Sequence, residues 1–349
     1  MKESPMKIVL LALPHCAAAS VHGILDIFTT ANYCHARLSG AAGKRSLEPF
    51  FNINVVTQND QPVTAYNGMA IAPNAAFEEV EPDLIIVASA IEAITAGAAL
   101  PQHLAQFRQA YTWLQAHARR GAVIASACTG SFVLAEAGLL EGKTVTTHWR
   151  AAEHFRQRYP EIRLDIDRLL IDSGDIICAG GATAYIDLSF HLIERFAGQG
   201  LASAVSKLHL FDSKRQQQTP YITFYGYKSH KDDAVKKAQE WMESHYAEHF
   251  SVDDVAALAG LGGRTFKRRF KEATGENPIN YLQQLRVEAV KHQLETTLKS
   301  SNEIIWEVGY EDISSFRRLF KRATGCTMEQ YRKRFSYVTP AITSYSFNS

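Results

Sequence analysis

The sequence of 349 residues has no long hydrophobic run, no closely paired cysteines and no large excess of either charge. The apolar run from Ile8 to Leu13 is too short for a secretion signal, and no stretch approaches the roughly 18 apolar residues that a membrane span needs. We therefore expect a cytoplasmic protein without a membrane partner. The five cysteines form no CxxC pair, which argues against a disulfide framework and a zinc site, so we predict no metal site.

Glycine and proline, at 21 and 11 residues, are also too few for a collagen-like or low-complexity chain. What is present is an ordinary globular composition, and at about 150 residues per domain the length predicts two domains. The net charge of +1 hides an asymmetry, because residues 1–199 carry 15 basic and 19 acidic side chains whereas residues 200–349 carry 22 and 17. A basic excess in the C-terminal part is a first indication of nucleic-acid contact.

The first 200 residues alternate short apolar runs with longer helical patterns. Residues 7–13, 84–88 and 122–127 have the composition of buried strands, and a helical pattern follows each of them. Repeated strand–helix units predict an α/β fold with a doubly wound, mostly parallel sheet of the flavodoxin-like kind, covered by helices on both faces. Ligands bind such sheets at the carboxyl ends of the strands. We assign residues 1–200 to this domain.

After residue 200 the strand-like runs nearly vanish. We predict a connector over residues 201–232, which is apolar enough in places to pack, then an all-α domain over 233–336 and a C-terminal tail over 337–349. Helical patterns in this half lie at 232–246, 252–259, 264–273, 278–297, 303–308 and 313–324.

A sequence repeat lies inside the helical half, where residues 266–275 match residues 316–325. Each copy predicts a short helix, a turn with glycine and a second helix, which is the arrangement of a helix-turn-helix. Phe266 and Phe270 are four residues apart and should share a buried face, as should Phe316 and Phe320. Arginine and lysine side chains then occupy the outward face of both second helices.

Two interpretations of these basic faces are open. A single basic helix is most often a solvated surface. Duplication favours the alternative, in which two similar helices enter successive major grooves about 34 Å apart. There arginine pairs with guanine, and lysine or a helix N-terminus holds phosphate.

The segment from Ile304 to Gly325 closely resembles the signature of AraC-type transcription factors, and the resemblance extends over about Asp233 to Phe335. Two positions depart from the family pattern: Ile305 replaces the usual alanine, so local repacking is expected, and Met328 replaces the usual proline. By this resemblance, the side chains nearest the base edges would be Arg264, Lys267 and Arg268 in the first motif and Ser314, Arg317 and Arg318 in the second.

A cysteine lies at a predicted strand-to-helix turn in the first half. The strand pattern of residues 122–127 runs directly into Cys128, and the helical pattern starts at Ser131. Small residues on both sides, Ala127 and Gly130, allow a sharp turn that exposes its central side chain, as in a nucleophile elbow. A thiol at a helix N-terminus should favour the thiolate. The alternative for any single cysteine is a small buried hydrophobe.

Together with residues 138–149 and 179–181, this turn resembles the PfpI-like branch of the class I glutamine amidotransferase superfamily over about residues 7–197. Two groups in that branch are similar: isocyanide hydratases and the sensor domains of GlxA-type AraC regulators. The resemblance implies that Cys128 is the nucleophile of an active member, that Thr129 assists and that Asp26 lies against the thiol. Protease-like members have His after the cysteine, so Thr129 argues against a peptidase.

The resemblance also predicts an effector pocket formed by Asp26, Cys128, Thr129 and His148. For His148, a hydrogen-bonded structural role is the alternative, and for Asp26 a solvated helix cap. The loop of Pro14, His15 and Cys16 departs from the usual sequence after the first strand, so the effector cannot be inferred from relatives.

The leading functional hypothesis is a ligand-responsive transcriptional regulator, an activator, that binds operator DNA and a small, nitrogenous metabolite. Resemblance further implies self-association as a homodimer through the first domain and contact with RNA polymerase; no cofactor is predicted. A second hypothesis is a cysteine-dependent hydratase or amidase-like enzyme that uses Cys128. A third is a constitutive DNA-binding protein with a purely structural sheet domain.

Overall fold

A computed structural model describes residues 4–39, 48–95, 97–212, 215–226, 228 and 230–338. The chain divides into two compact units between Gln218 and Thr219. This point lies within residues 201–232, the segment assigned above to a connector. Helix Gln199–Leu208 and the residues up to Gln218 belong to the first unit, so the structure gives the early part of that segment to the α/β unit.

The first unit is built on a six-stranded sheet with the order β2-β1-β5-β6-β10-β9. All neighbours in it are parallel except the edge strand β9, which is antiparallel to β10. Two small two-stranded sheets, β3-β4 and β7-β8, complete the unit. The strands are β1 (Met6–Leu11), β2 (Phe51–Val56), β3 (Val63–Thr64), β4 (Ala70–Ile71), β5 (Leu84–Val87), β6 (Val123–Ala127), β7 (Thr144–Val145), β8 (Arg163–Leu164), β9 (Leu170–Asp172) and β10 (Ile176–Ala179).

Helices cover both faces of the sheet, which confirms the predicted doubly wound α/β fold. One hydrophobic core lies between the sheet and α1, α7 and α8, and the other lies between the sheet and α3 to α6. Strands β1 and β5 sit next to each other where the strand order reverses, which is where ligands bind in such folds. The helices are α1 (Ala18–Leu38), α2 (Glu92–Thr95), α3 (Leu100–Ala105), α4 (Arg108–Arg119), α5 (Ser131–Glu136), α6 (Ala152–Arg158), α7 (Ala184–Ala197) and α8 (Gln199–Leu208).

The second unit is helical in its described residues. Helices α9 to α12 begin and end close to the predicted patterns, as do α13 and α14. The last helix, α15, was missed by the periodicity analysis; its start is marked by a capping box between Thr327 and Gln330. The helices are α9 (Asp233–His245), α10 (Val252–Leu258), α11 (Gly263–Thr274), α12 (Pro278–Thr296), α13 (Ser301–Glu307), α14 (Ile313–Thr324) and α15 (Met328–Phe335).

The repeat is reproduced in three dimensions. Helices α11 and α14 both have 12 residues, and both end at a glycine in the left-handed conformation, Gly275 with φ of 78° and Gly325 with φ of 73°. Each copy has its own hydrophobic core, and α12 contributes to both. The predicted phenylalanines Phe266, Phe270, Phe316 and Phe320 are fully buried, which confirms the assignment of the core faces.

Both residues that depart from the AraC pattern pack in the hydrophobic core of the second copy. Ile305 is fully buried there, and Met328 is 2% exposed at the first position of α15. The equivalent position in the first copy is Pro278, at the first position of α12. Proline and methionine therefore fill the same place after a capping side chain, Asn277 or Thr327.

Candidate functional site

The predicted elbow is present at the end of β6. Cys128 has a φ of 56°, a conformation that residues other than glycine rarely adopt, and a short 3-10 turn over Cys128–Gly130 leads into α5. The turn lies tightly against β5, because a Cβ at Gly130 would be 2.8 Å from the carbonyl oxygen of Val87 and 2.9 Å from that of Ala88. Only glycine fits there without a shift of the backbone.

Buried hydroxyl groups hold this turn in place. Thr129 donates through Oγ1 to the carbonyl oxygen of Ala90 at 2.6 Å, and Ser131 donates to the hydroxyl of Thr147 at 2.8 Å. Thr147 in turn donates through Oγ1 to the carbonyl oxygen of Cys128 at 3.4 Å. The strained conformation is thus fixed from the loop after β5 on one side and from the loop after β7 on the other.

The thiol of Cys128 does not have the expected thiolate character. It is buried, at 2% exposure, and burial raises its pKa from 9.0 to about 11, although hydrogen bonds from Thr129 oppose the shift. The expectation that the turn favours the thiolate is therefore wrong, because loss of solvent outweighs the local dipoles. The elbow positions a neutral thiol.

Asp26 is exposed, whereas Cys128 is buried. Asp26 lies on the exposed side of α1, whose buried side includes Ser20, Val21 and Ile24. The buried polar group on this helix is Ser20, at 1% exposure, and its Oγ lies 3.4 Å from Oγ of Ser89. These two serines were missed, because an isolated serine carries no pattern that separates a site residue from a structural one.

Ser89 lies at the same edge of the sheet as the elbow. Strands β5 and β6 pair Val87 with Ser126, so Ser89 and Cys128 each follow that pair by two residues. Cys16, in the loop after β1, forms an isolated bridge with Ala90. The carboxyl ends of β1, β5 and β6 therefore meet around Cys128, as the sequence predicts for a ligand-binding edge.

His148 caps the short 3-10 helix Trp149–Ala151, where its Nδ1 accepts from the backbone N–H of Arg150 at 3.1 Å. Burial, together with the charge of Arg150, lowers the pKa of His148 to about 4. The ring is neutral at pH 7. This contact corresponds to the structural alternative considered for His148, and its place in an effector pocket stays a prediction.

A cavity of about 440 Å³ opens at the carboxyl ends of β1 and β2. His15, one of its lining residues, has a φ of 59°, and its Nδ1 lies 3.4 Å from Oε1 of Glu92. His103 contacts the same carboxylate and is largely buried, and burial lowers its pKa. The lining residues are Pro14, His15, Gln58, Asn59, Gln61, Pro62, Val63, Thr64, Gln106 and Phe107.

Gln218, the last residue of the first unit, is a further polar group that the sequence did not reveal. Its side chain is 2% exposed, and Nε2 donates to the carbonyl oxygen of Thr147 at 2.9 Å and to Oγ1 of Thr146 at 3.1 Å. Its Oε1 accepts from the N–H of Trp149 at 3.3 Å. Thr147, which also contacts the Cys128 carbonyl, thus connects the elbow to the residue that precedes the second unit.

In the second unit, all six predicted base-contacting side chains are exposed on α11 and α14. Arg268 forms an ion pair with Glu272 at 2.9 Å, and Arg317 donates to Asn302 at 3.1 Å. Contacts between side chains that are this exposed contribute little to stability, so both arginines exchange their partners readily. By contrast, Arg269 is bound to Asp232, the cap of α9, and has a structural role. The exposed residues are Arg264, Lys267, Arg268, Ser314, Arg317 and Arg318.

Two negative findings apply to the described residues. None of their helices is both long and apolar enough to cross a membrane. Nor do His, Cys, Asp and Glu side chains within those ranges come together in a group of three or more that could hold a metal ion.

Comparison with known proteins matches the two units separately. Residues 46–195 match the DJ-1/PfpI family, and residues 255–334 match a helix-turn-helix domain. The HTH-type transcriptional regulator CdhR of Pseudomonas aeruginosa is 29% identical over 338 residues, which cover 95% of this chain and 93% of the relative. The regulator GbdR of the same species is 25% identical, with 86% and 80% covered.

An enzyme is also among the relatives. The isonitrile hydratase of Pseudomonas putida is 28% identical over 158 residues, which cover 45% of this chain and 64% of the enzyme. The similarity that extends over nearly the whole chain is therefore to helix-turn-helix regulators, whereas the match to the enzyme covers less than half of it.

Proposed function

This chain belongs to the regulators that join a DJ-1/PfpI domain to an AraC-type helix-turn-helix domain, and on that premise we propose that it binds operator DNA and responds to a small molecule. One observation carries the proposal. The chain contains two copies of a helix, α11 and α14, that bury equivalent phenylalanines and expose arginine at equivalent positions. An enzyme acting alone has no use for such a pair.

The two helices suit consecutive major grooves. Both follow a short first helix, α10 or α13, through a tight turn, as recognition helices do. The 19-residue α12 lies between the two copies and, at 1.5 Å per residue, is about 28 Å long. This length is of the order of one turn of the double helix, about 34 Å, so α12 is a suitable spacer.

Arg318→Ala should lower the affinity for a preferred operator by about 1–3 kcal/mol and relax base preference at one position, because a bidentate contact to guanine is lost. The operator is first selected from random duplexes with the full chain. Affinity is then measured for Arg318→Ala, for Arg268→Ala, and for the control Lys237→Ala, which removes an exposed charge from α9. Unchanged affinity and base preference in both arginine variants would contradict the proposed reading helices.

The first unit supplies the proposed effector site. The carboxyl edge of the sheet contains the strained turn at Cys128, which buried hydroxyl groups hold, and the 440 Å³ cavity beside His15 at the ends of β1 and β2. The described residues that line this cavity do not include the four predicted pocket residues, Asp26, Cys128, Thr129 and His148. This volume is within the range of small-molecule sites. We assign the effector to this edge; Thr129 holds the turn there, and a neutral Cys128 is available for packing or hydrogen bonding.

The proposed regulatory role also includes self-association, activation of transcription and a location in the cytoplasm. Self-association through the first unit would present two DNA-binding units to paired half-sites and raise the effective concentration of each. Activation would proceed through contact with RNA polymerase. Since operator DNA is the partner, we place the protein in the cytoplasm.

A cysteine-dependent hydratase is the second candidate, favoured by the strained elbow and by the similarity to isonitrile hydratase. Its chemistry needs a reactive sulfur with a nearby acid. Burial keeps the Cys128 thiol protonated, and Asp26 is exposed on α1. These two observations favour a sensor over an enzyme.

Cys128 should react with iodoacetamide at pH 8 about 100-fold more slowly than an unperturbed thiol, because a pKa raised from 9.0 to about 11 leaves roughly a hundredth of the thiolate. The raised pKa also means that Cys128 stabilises the fold below pH 9 and that this contribution is lost between about pH 9 and 11. Peptide mass spectrometry measures the labelling. Half-buried Cys326 is the internal comparison, and labelling in urea shows that every thiol can react. Equal rates for Cys128 and Cys326 in the folded chain would contradict the assignment of a neutral thiol.

A further inference from the structure

A second cavity lies in the first unit, at the edge of the sheet formed by β9. It has a volume of about 610 Å³ and is bounded by β9, α7, α8 and residues 215–217. Polar and charged side chains contribute much of its lining, among them Arg168, Asp187, His191, Ser203 and Arg215. The elbow residues Cys128 and Thr129 are not part of this lining.

One wall of the cavity is a strap, which we define as residues 215–218. The backbone of the strap bonds to the chain just before β9: the N–H of Leu169 donates to the carbonyl oxygen of Gln216 at 3.0 Å, and the N–H of Gln218 donates to that of Asp167 at 2.9 Å. Gln217 forms an isolated bridge with Arg168. The strap is therefore held by main-chain bonds and brings Arg215 to the cavity.

Arg215 is held by partners on only part of its guanidinium. Its Nη2 donates to Oδ2 of Asp187 at 2.5 Å, and its Nη1 donates to Oγ1 of Thr183 at 2.9 Å. Its Nε is buried and finds no hydrogen-bond partner within the described part of the chain. A buried donor without an acceptor is destabilising, so the Arg215 side chain is not fully satisfied by Asp187 and Thr183.

The surrounding charges indicate what such a ligand would be. The Asp187 side chain is only 9% exposed and is already neutralised by Arg215. The lining also contains the exposed Arg168, which adds a second guanidinium, the hydroxyl donor Ser203 and the exposed carboxylate of Glu194. Guanidinium groups match carboxylate oxygens in both charge and geometry.

We propose that the cavity beneath the strap is a second ligand site, which takes a small molecule bearing a carboxylate that accepts hydrogen bonds from the guanidinium groups of Arg168 and Arg215 in its lining. Its volume is suited to a small metabolite. Because the strap ends one residue before the second unit, a ligand here would fix the segment that joins the two units. The site is independent of the proposed effector edge and of the DNA-binding helices.

The test is calorimetric titration of the full chain with sodium acetate, sodium succinate and sodium citrate, with sodium sulfate at matched ionic strength as the reference for weak ion binding. At least one carboxylate should bind saturably with a Kd of about 1 mM or tighter, and sulfate should not. Ser203→Trp, which places a large side chain at the cavity from an exposed position of α8, should weaken binding at least 10-fold.

Three more variants complete the design. The double variant Asp187→Asn with Arg215→Gln keeps a neutral, hydrogen-bonding pair and should also weaken binding at least 10-fold; its melting profile verifies the fold. Lys207→Ala, which removes an exposed charge from α8, and Lys237→Ala, which removes one from α9, should both bind normally. The proposal is overturned if no carboxylate saturates, if sulfate binds equally well, or if Ser203→Trp and the folded double variant retain full affinity. Operator binding by the unmodified chain is unaffected by any of these outcomes, so the regulator assignment is judged separately.

Discussion

Phe320→Ala should destabilise the second helix-turn-helix by about 3–5 kcal/mol, because truncating a fully buried phenylalanine removes apolar contact and leaves a cavity. The two copies have separate cores, so the loss should be local. Hydrogen exchange of the full chain, followed by mass spectrometry, should show faster exchange in α13 to α15 and little change in α10 and α11. Operator affinity should fall, because only one reading helix remains folded.

The repeat supplies matched comparisons for this variant. Phe270→Ala, at the equivalent position of the first copy, should reverse the pattern and expose α10 and α11. Arg322→Ala changes an exposed residue of the same helix as Phe320 and should alter stability by no more than about 0.5 kcal/mol. If Phe320→Ala accelerates exchange equally in both copies, the assignment of two separately packed cores is incorrect.

Gln218→Leu should destabilise the first unit by at least about 2 kcal/mol and release residues 215–218 from it. Leucine preserves volume, but the buried carbonyl oxygen of Thr147 and the N–H of Trp149 lose the partners that the amide provides. The readouts are the midpoint of urea unfolding and the hydrogen exchange of this segment. We also expect a weaker response of DNA affinity to effector, since Thr147 connects Gln218 to the Cys128 turn.

The neighbouring glutamine is the control. Gln217 is exposed, so Gln217→Leu makes the same chemical change without removing a buried hydrogen bond and should leave the unfolding midpoint nearly unchanged. Gly180→Ala tests the same contact from the other side, because a Cβ there would collide with the Gln218 amide and the Thr147 carbonyl. Similar stability of Gln218→Leu and Gln217→Leu would show that the buried amide does not hold the segment.

Local sequence patterns were sufficient to predict most of the fold. Apolar runs followed by helical periodicity predicted the parallel sheet, and a spacing of four residues identified the buried faces of α11 and α14. The same reasoning located the turn at Cys128, because small flanking residues are a local requirement. It missed α15, where basic residues obscure the apolar positions and the capping box is the remaining signal.

The functional sites were harder to predict from local sequence patterns. The position of Asp26 on α1 follows from which face of the helix meets the sheet, and the pKa of Cys128 follows from how completely its surroundings exclude water. Neither the position of Asp26 nor the pKa of Cys128 can be predicted from the residues next to it in sequence. Gln218 illustrates the same limit, since its hydrogen-bond partners Thr146 and Thr147 lie about 70 residues earlier.

The sequence by itself determined the two-unit organisation, the duplicated helix-turn-helix and the exposed basic faces, since each depends on residue types at short, regular spacing. Only the tertiary structure decided that burial favours the neutral thiol of Cys128, that Asp26 is exposed on α1, and that Gln218 and Arg215 tie the end of the first unit to its core. The physical reason is that desolvation and buried hydrogen bonds depend on groups brought together from distant parts of the chain. Periodicity predicts which face of a helix is buried, whereas the groups that this face contacts are known only from the folded structure.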